Sequence, residues 1–223
     1  WYATTCGACS AGCGILARNR EGRPVKLEGN PDHPLSKGGL CAMGQASIVE
    51  LYDSQALSGP MLEGKAESWE KADHFILSAL EKIKMSSQNN LRFLTRTVTS
   101  PTLAHTIDQF LSRFGGGKHI QFEGPSNSAI LDVHEEMLGI RALPHYQFAK
   151  ARIILSFDAD FLGTAISPVE FTKDYTSARI LTKQGDPMSR HIQVESRLSV
   201  TGSKADSRYL VEPQKLGLAV VQV

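Results

Sequence analysis

Cys6, Cys9, Cys13 and Cys41 follow the spacing C-x2-C-x3-C, then 27 residues, then C, and no cysteine occurs after Cys41. Cysteines two and three residues apart are poorly placed to pair with each other, but they suit a shared metal centre. Thiolates are the usual ligands of iron–sulfur clusters, and close spacing lets one loop supply several corners of a cubane. Gly7, Gly12 and Gly14 fit a backbone bent tightly around sulfide. A structural zinc site with four Cys ligands competes with this reading. Zinc sites usually pair their ligands as two C-x2-C-type knuckles, whereas here three cysteines cluster and the fourth stands alone. Two disulfides would suit an exported protein. A cluster site that has lost its metal is a further reading.

Other reactive groups are less organised. Asp158 and Asp160 stand at the carboxyl end of an expected strand. They could form a cation site or a general acid/base pair, or serve as loop carboxylates and helix caps. Gly115-Gly-Gly-Lys118 lacks the G-x4-G-K-[ST] spacing of a phosphate loop, and it follows a helix and precedes a strand. It is expected to end a helix. The seven histidines are dispersed with no pair at metal-ligand spacing, and no Ser–His–Asp arrangement follows from the spacing. No catalytic residue is expected.

The elements that must position the cysteines begin with glycine. Eight glycines fall in the first 45 residues, more than twice the background of roughly 7%. Ile15–Arg18 and Arg23–Glu28 are expected to form a hairpin with Gly22 in the turn. Asn30-Pro-Asp-His-Pro34 reads as a loop, and a short helix is expected from about Ala46 to Gln55. Further on, helices are expected at Glu67–Lys84, Pro101–Phe114, Ser126–Leu138 and Pro168–Leu181. Strands are expected at Leu91–Val98, His119–Phe122, Ala151–Phe157 and His191–Val200, with another beginning at Leu218. Such alternation predicts an α/β fold: a small Cys-rich domain, residues 1–58, then an α/β sandwich with a mostly parallel sheet, residues 59–223. Both ends read as breaks inside a longer polypeptide. A net charge of +1, with basic residues scattered, argues against nucleic acid or an acidic membrane surface as partner. The apolar runs are too short to cross a bilayer.

Cys6-Gly-Ala-Cys9-Ser-Ala-Gly-Cys13-Gly, Gly29-Asn-Pro-Asp-His-Pro34 and Gly39-Leu-Cys41-Ala-Met-Gly-Gln-Ala-Ser47 together resemble the amino-terminal cluster domain of molybdopterin oxidoreductases. The resemblance implies a 4Fe–4S cluster on Cys6, Cys9, Cys13 and Cys41. A narrower resemblance rests on Arg113-Phe-Gly-Gly-Gly-Lys-His-Ile-Gln-Phe-Glu123, Leu155-Ser-Phe-Asp-Ala-Asp-Phe-Leu-Gly163, Ser167-Pro-Val-Glu-Phe171, Met188-Ser-Arg-His191, Glu195-Ser-Arg197 and Thr201-Gly202. These look like the large iron–sulfur subunit of alternative complex III, a bacterial membrane complex that oxidises quinol. It implies partners: other subunits of a respiratory or photosynthetic complex, and a ferredoxin-like half of the same polypeptide. It also implies a peripheral place on the periplasmic face of the inner membrane, reached through the complex.

Two departures from the molybdopterin enzymes stand out. Active enzymes usually carry Lys or Arg two residues after the fourth cysteine, where this chain has Met43. They often carry a Gly-x-Asn turn followed by His-Pro, where this chain has Asp158-Ala-Asp160 and Ser167-Pro168. Bound molybdopterin is therefore not expected. A fragment of a true molybdopterin-dependent oxidoreductase and a cofactor-free scaffold subunit remain the alternatives.

Overall fold

The computed structural model describes residues 1–86, 90–124 and 126–223. The chain is a mixed α/β protein that divides into two compact units, Trp1–Gln45 with Pro125–Val223, and Ala46–Gly124. The contacts thus group the cysteine segment with the last part of the chain and do not follow a boundary near residue 58.

In the first unit β1 (Tyr2–Thr5), β2 (Gly14–Arg20) and β3 (Arg23–Gly29) form an antiparallel sheet in that order. The expected hairpin is present, and it is tight because Glu21 (φ 53°) and Gly22 (φ 81°) both turn left-handed, the geometry of a two-residue primed turn. Pro24 is tolerated because β3 is an edge strand. The strand β1 was not foreseen. It is four residues long and exposed throughout, so it carries no alternation to read. The helix expected from Ala46 to Gln55 is instead α1 (Ala42–Ala46) running into a 3-10 turn, Ser47–Tyr52. It starts directly after Cys41.

The second unit is a β-hairpin and a small βαβ layer. Two-residue strands β4 (Met61–Leu62) and β5 (Lys65–Ala66) precede α2 (Trp69–Met85). Ser68 caps α2 by accepting from the Lys71 N–H at 3.2 Å, and Glu70 and the pair Lys82 and Lys84 complement the dipole at its two ends. Ser68→Ala should lower the stability of this unit by about 1 kcal/mol in urea denaturation; no change would show the cap to be idle. The strand β6 (Arg92–Thr95) pairs in parallel with β7 (Lys118–Gln121), and α3 (Pro101–Arg113) crosses between them. Phe93 meets Phe110 edge-on at 5.5 Å, and Ile107, Leu111 and Phe114 are buried. Gly115 (φ 88°) and Gly116 (φ 90°) end α3, as expected, by turning their N–H groups back to Ser112 and Leu111.

The first unit resumes with α4 (Ser128–Leu138), β8 (Ile153–Phe157), α5 (Pro168–Ser177), β9 (Arg190–Glu195), β10 (Ser207–Leu210) and α6 (Leu216–Val221). The second sheet of this unit is parallel throughout, in the order β10-β9-β8. The one parallel sheet expected from sequence is thus divided between the units. Phe171, Tyr175, Phe161 and Ile154 form its core, with Phe148 stacked on Phe161 at 4.3 Å. Three elements differ from expectation. The strand β9 stops at Glu195 because that side chain accepts from the Ser199 N–H and Oγ, curling the next residues into a turn. The helix α5 stops at Ser177, and Arg179 beyond it pairs with Asp206. The segment from Leu218 is helical, because Pro213 after the extended Glu212 launches a 3-10 turn that continues into α6.

The covered face of β9 carries a polar row: His191 (0% exposed), Gln193 (0%) and Glu195 (1%). His191 Nδ1 lies 3.2 Å from the Tyr175 hydroxyl and Nε2 lies 3.1 Å from Gln193 Oε1. Gln193 Nε2 donates to Glu195 at 3.4 Å, and Arg208 Nε donates to Glu195 at 2.5 Å. Burial works to raise the Glu195 pKa, but its bonds from Ser199 and Arg208 outweigh it and hold the carboxyl below its ordinary value.

Burial pushes the His191 pKa below its ordinary 6.5; Arg179 adds to this, while Gln193, Asp206 and Glu195 oppose it. The folded chain therefore resists a proton that the unfolded chain accepts. The stability tied to neutral His191 is whole above the unfolded value and is lost as pH falls toward the folded one. The lowered carboxyls of Glu195 and Asp206 act only at more acid pH. Between about pH 7.5 and about pH 5.5 the urea midpoint of the parent chain should fall further than that of His191→Gln. Equal falls would remove His191 from the account.

Candidate metal centre

The connection from β1 to β2 is the loop that carries Cys6, Cys9 and Cys13. The Cys6 N–H donates to the Cys13 carbonyl at 2.8 Å, which extends the β1–β2 ladder by one rung past the Thr5–Gly14 pair. Cys6 and Cys13 therefore face each other at the neck of the loop, both buried, while Cys9 lies exposed beyond them. Gly12 (φ 58°) makes the return toward Cys13 possible.

Cys41 precedes the first residue of α1, and its Sγ accepts from the Gly44 N–H at 3.5 Å. A Cβ on Gly44 would lie 3.5 Å from Cys6 Sγ, so the first turn of α1 sits against the neck of the loop. All four cysteines are free thiols. The Cys13 pKa is pushed up to about 11 by burial first, then by Cys9, Cys6 and Cys41 in turn. Each of the other three is thus an electrostatic neighbour of Cys13. They are not drawn in to ligand distance: among the described residues no group of three or more His, Cys, Asp or Glu is set to hold a metal ion. Four free thiols near a glycine-lined turn, Cys6 and Cys13 buried and the other three each raising the cost of charging Cys13, fit a cationic iron–sulfur core, which would relieve that cost.

Residues 1–53 match the Molybdopterin oxidoreductase Fe4S4 domain. The match supports a 4Fe–4S cluster as the group held by this segment. The chain is also 29% identical over 168 residues, 71% of its length, to the menaquinone reductase, molybdopterin-binding-like subunit, of Nitratidesulfovibrio vulgaris. It is 31% identical over 102 residues, 41% of its length, to a sulfite dehydrogenase subunit of Allochromatium vinosum. A probable oxidoreductase of Bacillus subtilis is 28% identical over 113 residues, 48% of the chain. These matches span 23%, 10% and 17% of the relatives' own lengths.

The other residues singled out from the sequence lie elsewhere in the fold or face solvent. Asp158 (φ 50°) accepts from the Ser196 N–H and Oγ at 3.2 and 3.3 Å. Asp160 accepts from the Thr201 N–H and Oγ1 at 3.0 and 2.9 Å. Both carboxylates thus tie the loop after β8 to the loop after β9. His191 belongs to the buried row of β9. His33 Nδ1 faces Ser36, and Met43 is 73% exposed on α1. Ser36, almost fully buried, escaped the sequence reading. The signal was its position three residues after His33 in a loop rich in Pro, Gly and Asx residues.

Proposed function

We propose that Cys6, Cys9, Cys13 and Cys41 together hold the 4Fe–4S cluster, and that the chain is an electron-transfer or structural part of a membrane-bound quinol-oxidising complex. The observation that carries this is the gathering of four free thiols, from two segments 27 residues apart, around the Cys6–Cys13 neck. When bound, a 4Fe–4S cluster supplies one-electron transfer with no bond made or broken in a substrate. The chain's own part is to hold the irons by thiolate, to bury Cys6 and Cys13 away from water, and to bring Cys41 alongside.

The finer reading is the molybdopterin-oxidoreductase-like half of the large iron–sulfur subunit of alternative complex III. It rests on the motifs from Arg113 to Gly202 and on a relative whose name is itself molybdopterin-binding-like. As sequence modules, residues 1–58 would be the cluster domain and residues 59–223 an incomplete α/β domain. Two of the three relatives described above are named as subunits, which supports a place in an assembly with other subunits and a ferredoxin-like half. Among the described residues no helix is long and apolar enough to cross a membrane; a peripheral place on the periplasmic face belongs to the same proposal and rests on the resemblance alone. Met43 supplies no cation beside Cys41, and Asp158 and Asp160 are spent on loop ties, both of which speak against bound molybdopterin.

One observation favours a molybdopterin-dependent fragment instead. A cleft of about 280 Å³ opens beside Cys41, lined by Gly39, Leu40, Leu162, Gly163, Val169 and Lys173 among others. Metal and sulfide analysis of the purified chain, reconstituted without oxygen, tests both readings. Iron and sulfide in the ratio of a cubane, without molybdenum, is the expected result. Zinc in place of iron would overturn the cluster assignment, and stoichiometric molybdenum would favour the second reading.

A further inference from the structure

Three of the four cysteines lie within one loop, so their mutual placement needs little help. Cys41 comes from far along the chain, and something must fix it against that loop. The segment Asn30–Gly39 folds back on the start of β2. The Asn30 N–H donates to the Gly14 carbonyl at 2.9 Å, and the Gly14 N–H donates to Ser36 Oγ at 3.2 Å. Ser36 is 1% exposed. His33 Nδ1 lies 3.2 Å from the Ser36 N–H and 3.0 Å from its Oγ. A backbone N–H can only donate, so Nδ1 accepts and the ring proton sits on Nε2. The Ser36 hydroxyl then donates to Nδ1 and keeps its lone pairs for Gly14. The Ser36 carbonyl accepts from the Gly39 N–H at 2.6 Å, two residues before Cys41.

One serine thus joins the peptide that follows Cys13 to the segment that delivers Cys41. The contact has no slack. A Cβ on Gly14 would lie 2.5 Å from the His33 ring, and one on Gly29 would lie 2.2 Å from the Gly38 carbonyl oxygen. We infer that Ser36, oriented by His33, is a positioning residue for Cys41, and decides whether the centre keeps its fourth iron. The inference rests on the proposed ligand set. If Cys41 drifts, the iron it holds is the one exposed to loss. A one-electron oxidant then takes an electron from the dicationic cubane, which releases ferrous iron and leaves a monocationic three-iron cluster.

The test uses the full chain, reconstituted and treated with ferricyanide as the one-electron oxidant. The readouts are the electron paramagnetic resonance signal of the oxidised three-iron cluster and the iron-to-sulfide ratio. Cys41→Ser should give mainly the three-iron form, which checks the ligand set independently. Ser36→Ala and His33→Phe should release the fourth iron about tenfold faster than the parent, the lower end of what lost support of a metal ligand costs. His33→Asn, whose Oδ1 stands where Nδ1 accepts, should stay near the parent rate. A merely structural role would give apoprotein rather than a three-iron signal. If Ser36→Ala keeps the parent rate, or if His33→Asn and His33→Phe behave alike, the positioning role is refuted while the cluster stands. A parent chain that takes up no iron refutes the ligand set, and the positioning role with it.

Discussion

Cys13→Ser is expected to leave the chain without a cluster, its iron and sulfide at background after reconstitution and its visible charge-transfer absorption gone. The argument lies in where Cys13 sits. Its carbonyl takes the Cys6 N–H, so it closes the neck of the loop, and its thiol is buried and feels the charge of each of the other three. A serine hydroxyl keeps the size but offers a poor, hard ligand in place of a soft thiolate. Exposed Cys9 lies on the rim, so Cys9→Ser should retain a larger share of the iron than Cys13→Ser. Full iron content in Cys13→Ser would mean that the neck of the loop is not the metal centre.

The largest loss of stability is expected from Phe171→Ala, about 3–5 kcal/mol by denaturant unfolding. Phe171 is 1% exposed and meets Phe148 edge-on at 5.2 Å and Tyr146 at 5.8 Å. Its removal opens a cavity under α5, the same helix whose Val169 would touch a Cβ on Gly39 at 2.6 Å. Weakened packing of α5 should therefore reach the segment that delivers Cys41, and the variant should also lose iron faster than the parent. A cost below about 1 kcal/mol would show that the aromatic cluster relaxes around the gap.

The cysteine loop between β1 and β2 was legible because its signals are local. The spacing of Cys6, Cys9 and Cys13 and the glycines between them specify a tight loop without reference to the rest of the chain. The hairpin from Gly14 to Gly29 and the termination of α3 at Gly115 were legible for the same reason, since positive φ has few alternatives to glycine. What could not be read depends on distant partners. Glu195 ends β9 only because Ser199 and Arg208 meet its carboxylate. Asp158 and Asp160 look like site residues until Ser196 and Thr201 are seen to occupy them. The segment Leu216–Val221 has the composition of a strand, and its helical start depends on Pro213 upstream.

The polar row on β9 has a consequence for how its sheet assembles. The two ends of the row take partners from different parts of the chain, and Gln193 links them: His191 bonds Tyr175 on α5, while Glu195 bonds Ser199 in the turn after β9 and Arg208 on β10. An apolar strand slipped by two residues along β8 would still bury much the same surface. Here a slip would strand a carboxylate and an imidazole in the interior with the wrong neighbours, at a cost of several kcal/mol. The row acts as a key that admits one register, and the key turns only when α5 and β10 are both in place. The three strands should accordingly form and come apart as one cooperative unit, with the β9 amides sharing a single opening free energy in hydrogen exchange.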